Sequence, residues 1–366
     1  MLILVANLGS TSFKFKLMDM SRDGEVVARG GYERIGTEPY KTHGDVIDVI
    51  VRDLQHKPDA IGFKAVHGGP ISGAVRVDQH VIDTMQQFAD VAPAHNPPYI
   101  AAMQAFAEKL PGVPQVACFE TAFHQTIPLS RQVYAIPWDW TETLGIRRYG
   151  FHGASHRYIA TRLKEISPGA KRIISCHLGG SSSLCAIDDG KSVATTMGLT
   201  PQTGLPQNNR VGDFDTFALL KLLKTGLSVD DVLKKLGKEG GLLGISGVSN
   251  DMRDIEKAAD EGNARARLAI DAYAESIRGY IGNYLVALGG CDALVFTAGI
   301  GENGVALRET ICRGLDFAGL KLDPQLNQTR GKEQKISKSD SKGEIWIVPT
   351  NEELIVARQT EAVLKK

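Results

Sequence analysis

VANLGSTSFKFKLMDMSRDGEVV, residues 5–27, and ISCHLGGSSSLCAIDDGKSVATTM, residues 174–197, follow one plan. Each begins as an apolar strand, passes through Leu-Gly and a cluster of hydroxyl residues, resumes as an alternating strand, and turns at Asp-Gly into a third strand. Asp23-Gly24 and Asp189-Gly190 are the turns, because Asp-Gly between alternating runs favours a hairpin. The spacing is far too wide for a solenoid, so the chain reads as a duplicated domain. At 366 residues and 43% hydrophobic content it is long enough to build two cores.

Between the two units, strand and helix alternate. Residues 60–66 and 115–119 read as strands, and 99–109, 156–165, 216–224 and 255–288 carry apolar residues at helical spacing. Residues 292–297 read as a buried strand running into a Gly-rich turn over 298–304. The class is α/β. A first domain is expected over 1–145, regaining residues 351–366, with a second domain over 146–350.

Lys+Arg and Asp+Glu both number 42, so no global field recruits nucleic acid or an anionic membrane, and any anion is bound locally. The apolar run at the N-terminus stops at Asn7, short of a signal peptide or a span, and a cytoplasmic protein is expected. Five cysteines lie scattered without a C-x-x-C spacing, which predicts buried free thiols.

Residues 7–12 place six residues, all but Leu8 small or polar, where two would make a hairpin. Gly9 lets the backbone approach a ligand, and Ser10, Thr11 and Ser12 supply hydroxyls suited to a phosphate. One such motif alone reads as a polar turn. With its echo at 178–183, two turns can face each other across a cleft and hold a chain of phosphates, and the Gly-rich turn at 298–304 adds a place for a nucleotide at strand ends. Neither a Gly-x-x-x-x-Gly-Lys-[Ser/Thr] loop nor a Gly-x-Gly-x-x-Gly fingerprint is present. Six of the nine histidines, His67, His95, His124, His152, His156 and His177, fall in or beside polar loops, where function concentrates.

The motifs NLGSTSFK, AVHGG, HNPP, FETAFHQT, RRYGFHGASH, CHLGGSSS, GLTPQTGL, GISGVSNDMRD, VFTAGIGEN and PTNEE run nearly end to end. In this order they resemble the acetate kinase family. The resemblance implies a duplicated, two-domain ribonuclease-H-like/actin-like ATPase fold with an interdomain cleft. It also implies reversible phosphoryl transfer from ATP to a short-chain carboxylate, with Mg²⁺ or Mn²⁺, in a homodimer joined through its second domain. Carried over by position, His95, His152, Arg210 and Glu120 are the catalytic residues, Asn7 and Glu352 hold the metal, and Lys64, Val66, Ala94, Phe151 and Pro201 form the substrate pocket. Ser10, Ser12, Lys14, His177, Gly179, Gly180 and Ser181 are expected around the phosphates, Asp251, Met252 and Arg253 at the adenosine, and Gly299, Ile300, Gly301, Glu302 and Asn303 beneath the α-phosphate and ribose. An acceptor carboxylate of pKa about 4 is already ionised at neutral pH, so Glu120 reads as a metal or geometry residue and not as a base.

The chain also departs from the family's usual pattern. Glu120 stands where Asp is usual, Lys64 where Arg is usual, and Ala94 where a Leu commonly lines the acetate pocket. Gly179-Gly180-Ser181 replaces Gly-Asn-Gly, and Gln207-Asn208-Asn209 precedes Arg210 in place of Met-Gly-Thr. Because one methylene is worth ~1–3 kcal/mol in such a pocket, these changes predict an acceptor larger or more polar than acetate. A kinase of the same fold acting on butyrate or another oxyacid, and a nucleotide-switched binding protein of the actin kind, are the alternatives. The segment from Arg330 to Lys342 reads as a solvated loop without chemistry.

Overall fold

The computed structural model describes residues 1–92 and 95–366. The first sheet contains β1 (Leu2–Gly9), β2 (Ser12–Asp19), β3 (Glu25–Glu33), β4 (Ala60–Phe63), β5 (Ala74–Arg76) and β6 (Gln115–Cys118), in the order β3-β2-β1-β4-β6-β5. The second contains β7 (Arg172–Leu178), β8 (Ser182–Asp188), β9 (Lys191–Thr195), β10 (Ala293–Thr297), β11 (Gln334–Lys335) and β12 (Glu344–Ile347), in the order β11-β12-β10-β7-β8-β9. Each sheet is an antiparallel three-strand meander continued by two parallel strands and closed by an antiparallel edge strand. Even the irregularity repeats: a register shift falls between Leu17 and Met18 in β2 and between Ala186 and Ile187 in β8. Asp23 and Gly24 take φ of 52° and 80°, and Asp189 and Gly190 take 44° and 80°, the left-handed region for which Asp-Gly turns are selected. The duplicated α/β architecture follows.

The opening hairpin is tighter than expected. β1 and β2 remain paired as far as Gly9 with Ser12, leaving only Ser10 and Thr11 as the connection. Ladder pairing uses main-chain groups, so small polar side chains need not interrupt it. A Cβ on Gly9 would sit 2.6 Å from Ser12 Oγ and would turn that hydroxyl away. The second hairpin turns over Gly179, Gly180 and Ser181. The expected turn at 298–304 is instead a helix, Ala298–Asn303, followed at once by Val305–Cys312. The stretch 255–288 divides into Met252–Asp260 and Ala264–Leu288, because Gly262 (φ 94°) breaks the first and the Asn263 side chain caps the second by accepting from the N–H groups of Arg265 and Ala266.

One face of the first sheet is covered by helices His43–Asp53 and Asn96–Lys109. The first of these begins at a reciprocal capping box between Thr42 and Asp45. The matching face of the second sheet is covered by Ala264–Leu288 and its neighbours. On the remaining faces the helices are exchanged. After β6 the chain reaches helix Gly153–Ile166, whose Ile159, Ala160 and Leu163 pack on Ile173, Cys185 and Val295 of the second sheet. After β12 it reaches helix Glu352–Leu364, whose Val356 and Ala357 pack on Ile3, Val5 and Val116 of the first sheet. These two helices also pack against each other. Full burial of such aliphatic side chains stabilises by ~1.5–3 kcal/mol each, so the exchange ties the halves together. All five cysteines are free and buried. Among the described residues no helix is long and apolar enough to cross a membrane.

Candidate active site

A cavity of about 320 Å³ lies where the two hairpins approach, lined from both halves of the chain. Asn7, Ser12 and Lys14 enter from the first hairpin and Ser181 from the second. Lys64 follows directly on β4, and Glu120 opens a 3-10 turn directly after β6, its N–H donating to Ala65 O at 2.8 Å. Both therefore stand at the carboxyl ends of adjacent parallel strands, where α/β folds place ligands. Val66, Phe151, Pro201, His95, His152 and Arg210 complete the wall. Ala94 lies outside the described residues. Ser10 is exposed at the hairpin tip and lines neither this cavity nor the next.

Lys64 and Glu120 both line this first cavity, and Glu352 stands behind Lys64 without lining it. The Lys64 ammonium hydrogen-bonds Glu352 and lies 3.8 Å from Glu120 Oε1. Glu352 opens the last helix, positioned by the Asn351 cap that accepts from Leu354 N–H. Burial would strip the proton from Lys64, but Glu352 and then Glu120 outweigh it and hold the ammonium charged. Burial raises Glu120, with Lys64 only partly countering it, whereas for Glu352 the Lys64 charge overcomes burial and holds the carboxyl below its ordinary range. Both Glu120 oxygens and Glu352 Oε1 are buried without a hydrogen-bond partner. No group of three His, Cys, Asp or Glu among the described residues could hold a metal unaided. Orphaned carboxylate oxygens, with Asn7 on the same cavity's wall, suit a hard divalent cation that completes its shell with phosphate oxygens and water.

The histidines form a connected layer. His152, in the left-handed region at φ 55°, starts helix Gly153–Ile166, and its Nδ1 lies 2.9 Å from Ser183 Oγ. The same hydroxyl is 2.9 Å from His156 Nε2, while His156 Nδ1 is 2.9 Å from Ser175 Oγ. His177 lines neither cavity. It lies beneath His152, rings stacked at 4.1 Å, with Nδ1 held 2.8 Å from Ser155 Oγ. Burial, followed by its imidazole neighbours, pushes His152 well below its ordinary pKa, and burial pushes His177 down to about 4. For His95, burial, Arg210 and Lys64 together give about 4. All three are neutral at pH 7. The Arg210 guanidinium is held by Ser181 Oγ at 3.2 Å, Gln207 Oε1 at 3.3 Å and Pro201 O at 3.4 Å.

A second cavity, about 610 Å³, begins where the first ends, since Ser181 lines the first and Gly179 and Gly180 line the second. Asp251, Met252, Arg253, Gly299, Ile300 and Asn303 line it as well. Asp251 both caps helix Met252–Asp260 and pairs with Arg253, which lowers its carboxyl to about 2. Gly301 and Glu302 do not line it: folded into a helix, Gly301 turns inward and its carbonyl accepts from Arg308 at 2.8 Å. Arg330 does line it and donates to the Asn303 carbonyl, so its segment is not merely solvated. Sequence reasoning also missed Asn208 and Glu256 in this wall and Tyr99 in the first, where the Tyr99 hydroxyl accepts from Leu8 N–H at 3.0 Å. The available signals were Asn208 beside Arg210 and Tyr99 in the helix after HNPP.

Comparison with known proteins adds the family. Residues 41–358 match the model of the acetokinase family. The chain is 44% identical to an acetate kinase of Dictyoglomus thermophilum and 42% identical to one of Clostridium botulinum, with all of each chain covered in both cases. Among solved structures, it superposes on the acetate kinase of Porphyromonas gingivalis with a TM-score of 0.92 at 38% identity, and on a propionate kinase from Francisella tularensis with 0.92 at 35%, covering 99% of each chain in both comparisons. A match of this extent, on a fold whose two halves repeat strand for strand, shows that the chain belongs to the acetokinase family, phosphotransferases that act on a carboxyl group.

Proposed function

We propose that this chain transfers the γ-phosphoryl group of ATP to a short-chain carboxylate, acetate or a somewhat larger acid such as propionate, reversibly and in line, giving ADP and an acyl phosphate. The observation that carries this reading is the convergence of Arg210, His95, His152 and Lys64 on a cavity whose wall continues, through Ser181 to Gly179, into the second one. Phosphoryl transfer needs little covalent help from the protein, so positioning and fixed positive potential are the main requirements.

Val66, Phe151 and Pro201 supply an apolar wall for the alkyl end of the acceptor. Arg210, its fork held in place by Ser181 and Gln207, grips carboxylate and phosphoryl oxygens. If Ser175 donates to His156, His156 to Ser183 and Ser183 to His152 Nδ1, then Nε2–H of a neutral His152 is free to donate to the moving phosphoryl group. Lys14, Ser12, Gly179 and Gly180 line the phosphate path, and Asp251 to Arg253 with Gly299, Ile300 and Asn303 receive the rest of the nucleotide. Asn7 and Glu352 would hold Mg²⁺ or Mn²⁺, which neutralises phosphate charge when bound, with Glu120 setting the geometry of Lys64.

The exchanged helices support a division into residues 1–145 with 351–366, and 146–350. Closure of one unit on the other would exclude water. Exposed Phe217, Leu220 and Leu233 on the second unit suit a homodimer, and a cytoplasmic location fits the same reading.

An ADP-release assay over acetate, propionate, butyrate and hydroxylated acids, with and without Mg²⁺, tests this function. Acceptor-dependent, metal-dependent ADP release is expected. Slow hydrolysis indifferent to every acid would overturn the reading in favour of a nucleotide-switched binding protein. The small residue at position 94 favours an acid larger than acetate, a refinement that fails if acetate gives the highest kcat/KM.

A further inference from the structure

A third cavity, about 230 Å³, lies where the loop between β4 and β5 meets the segment leading into helix Gly153–Ile166. Ser72, Gln125, Gln132, Arg147, Arg148 and Tyr149 are on its wall, and among the described residues no acidic one lines it. Arg147 donates to Gln132 Oε1 at 2.6 Å and lies 4.6 Å above the Tyr149 ring, while Arg148 donates to the carbonyls of Thr196 and Met197 at 2.7 and 3.1 Å. These acceptors are neutral, so the Arg147 guanidinium stands on the wall of a half-enclosed space bonded to an uncharged amide, while the Arg148 guanidinium is turned toward the Thr196 and Met197 carbonyls and the Tyr134 ring. Ser72 Oγ is buried there with no partner. A cation bonded to an uncharged amide and a free hydroxyl, around room for roughly seven waters, describe a site for a small anion, since a fixed charge in a half-enclosed cavity favours an opposite one.

We propose that this cavity binds a small tetrahedral oxyanion of the inorganic phosphate class, gripped by Arg147 and Ser72. Its position gives the ion a mechanical effect. Arg148 and the Tyr149 N–H, which donates to Gly198 O at 3.0 Å, fasten the 147–149 segment to the second half, whereas Ser72 belongs to the first sheet's loops. An ion shared by Arg147 and Ser72 braces one half against the other and slows turnover without occupying the catalytic cavity.

Calorimetric titration of inorganic phosphate into the full-length Arg210→Ala variant, whose catalytic cavity has lost its fork, should reveal one phosphate per chain. Adding Arg147→Gln should weaken that binding about tenfold or more, as loss of a charge-assisted pair of hydrogen bonds implies, and Ser72→Ala should weaken it severalfold. Gln125→Glu, an exposed position, brings a repelling carboxylate to the cavity and tests the site should Arg147→Gln fail to fold. In the otherwise native enzyme, phosphate should lower kcat at unchanged KM, and Arg147→Gln should abolish that inhibition. This kinetic arm rests on the proposed reaction, while the calorimetric arm does not. Phosphate binding that vanishes with Arg210→Ala, or that is unmoved by both Arg147→Gln and Gln125→Glu, overturns the proposal.

Discussion

Lys64 and Glu352 form a hydrogen-bonded ion pair across 288 residues of chain, joining the end of β4 to the first turn of the last helix. Replacing Lys64 by Met leaves Glu352 and Glu120 facing each other in a buried site with no cation. Removing one partner of such a pair costs about 3–5 kcal/mol, and Lys64→Met should lose that much stability in urea unfolding. Lys64→Met with Glu120→Gln should recover much of the stability and none of the activity. Equal stability of the single variant and the native protein would show that the pair carries no structural weight.

Arg210 is pre-positioned by three neutral oxygens and not by a carboxylate, so its charge is available to a ligand. Arg210→Ala should lower kcat/KM by roughly 10³, about 4 kcal/mol of transition-state stabilisation, with little change in melting temperature. Arg210→Lys should recover only part of this, because a point charge cannot replace the fork. Steady-state kinetics of both variants check it.

Ser183 serves His152 and His156 with one hydroxyl. Ser183→Ala orphans two buried ring nitrogens and should cost about 1–3 kcal/mol of stability. If the hydroxyl orients His152, kcat should also fall about tenfold at unchanged KM, whereas an unaltered kcat would assign Ser183 to the scaffold alone.

His124 is buried, with Nδ1 2.9 Å from Ser192 Oγ and Nε2 2.8 Å from the Phe151 carbonyl, and burial holds its pKa down to about 4. The unfolded chain takes up this proton near pH 6.5 and the folded one does not. Its contribution is therefore fully present above pH 6.5 and is lost as the pH falls toward 4, at up to about 1.4 kcal/mol per pH unit. Urea unfolding at pH 7 and pH 5 should show the native protein losing ~2 kcal/mol from this residue, and His124→Gln should show a shallower slope.

The meanders were legible because alternation, Asp-Gly turns and a repeated plan all pointed to the same local structure. Their ends were not, since Asn7, Gly9 and Ser12 look like a break yet remain in the ladder. β5 and β11, three and two residues long, carry no period to read. Residues 298–303 look like a turn on glycine content but wind into a helix, where tertiary packing overrides weak propensity. At the site, residues inside contiguous motifs, such as His152 or Asp251, could be named from sequence. Glu256 and Arg330 could not, because only folding brings their otherwise ordinary surface segments to the cavity.

The exchange of helices between the sheets also orders the birth of the protein. By Cys118 the ribosome has delivered every strand of the first sheet, but the residues that cover Ile3, Val5 and Val116 on one face are Val356 and Ala357, which emerge only after the whole second sheet. That apolar face therefore stays open while the whole second sheet is made, a long interval in which a chaperone or another nascent chain can reach it. A premature stop ahead of Glu352 would leave unprotected not the half just made but the half made first.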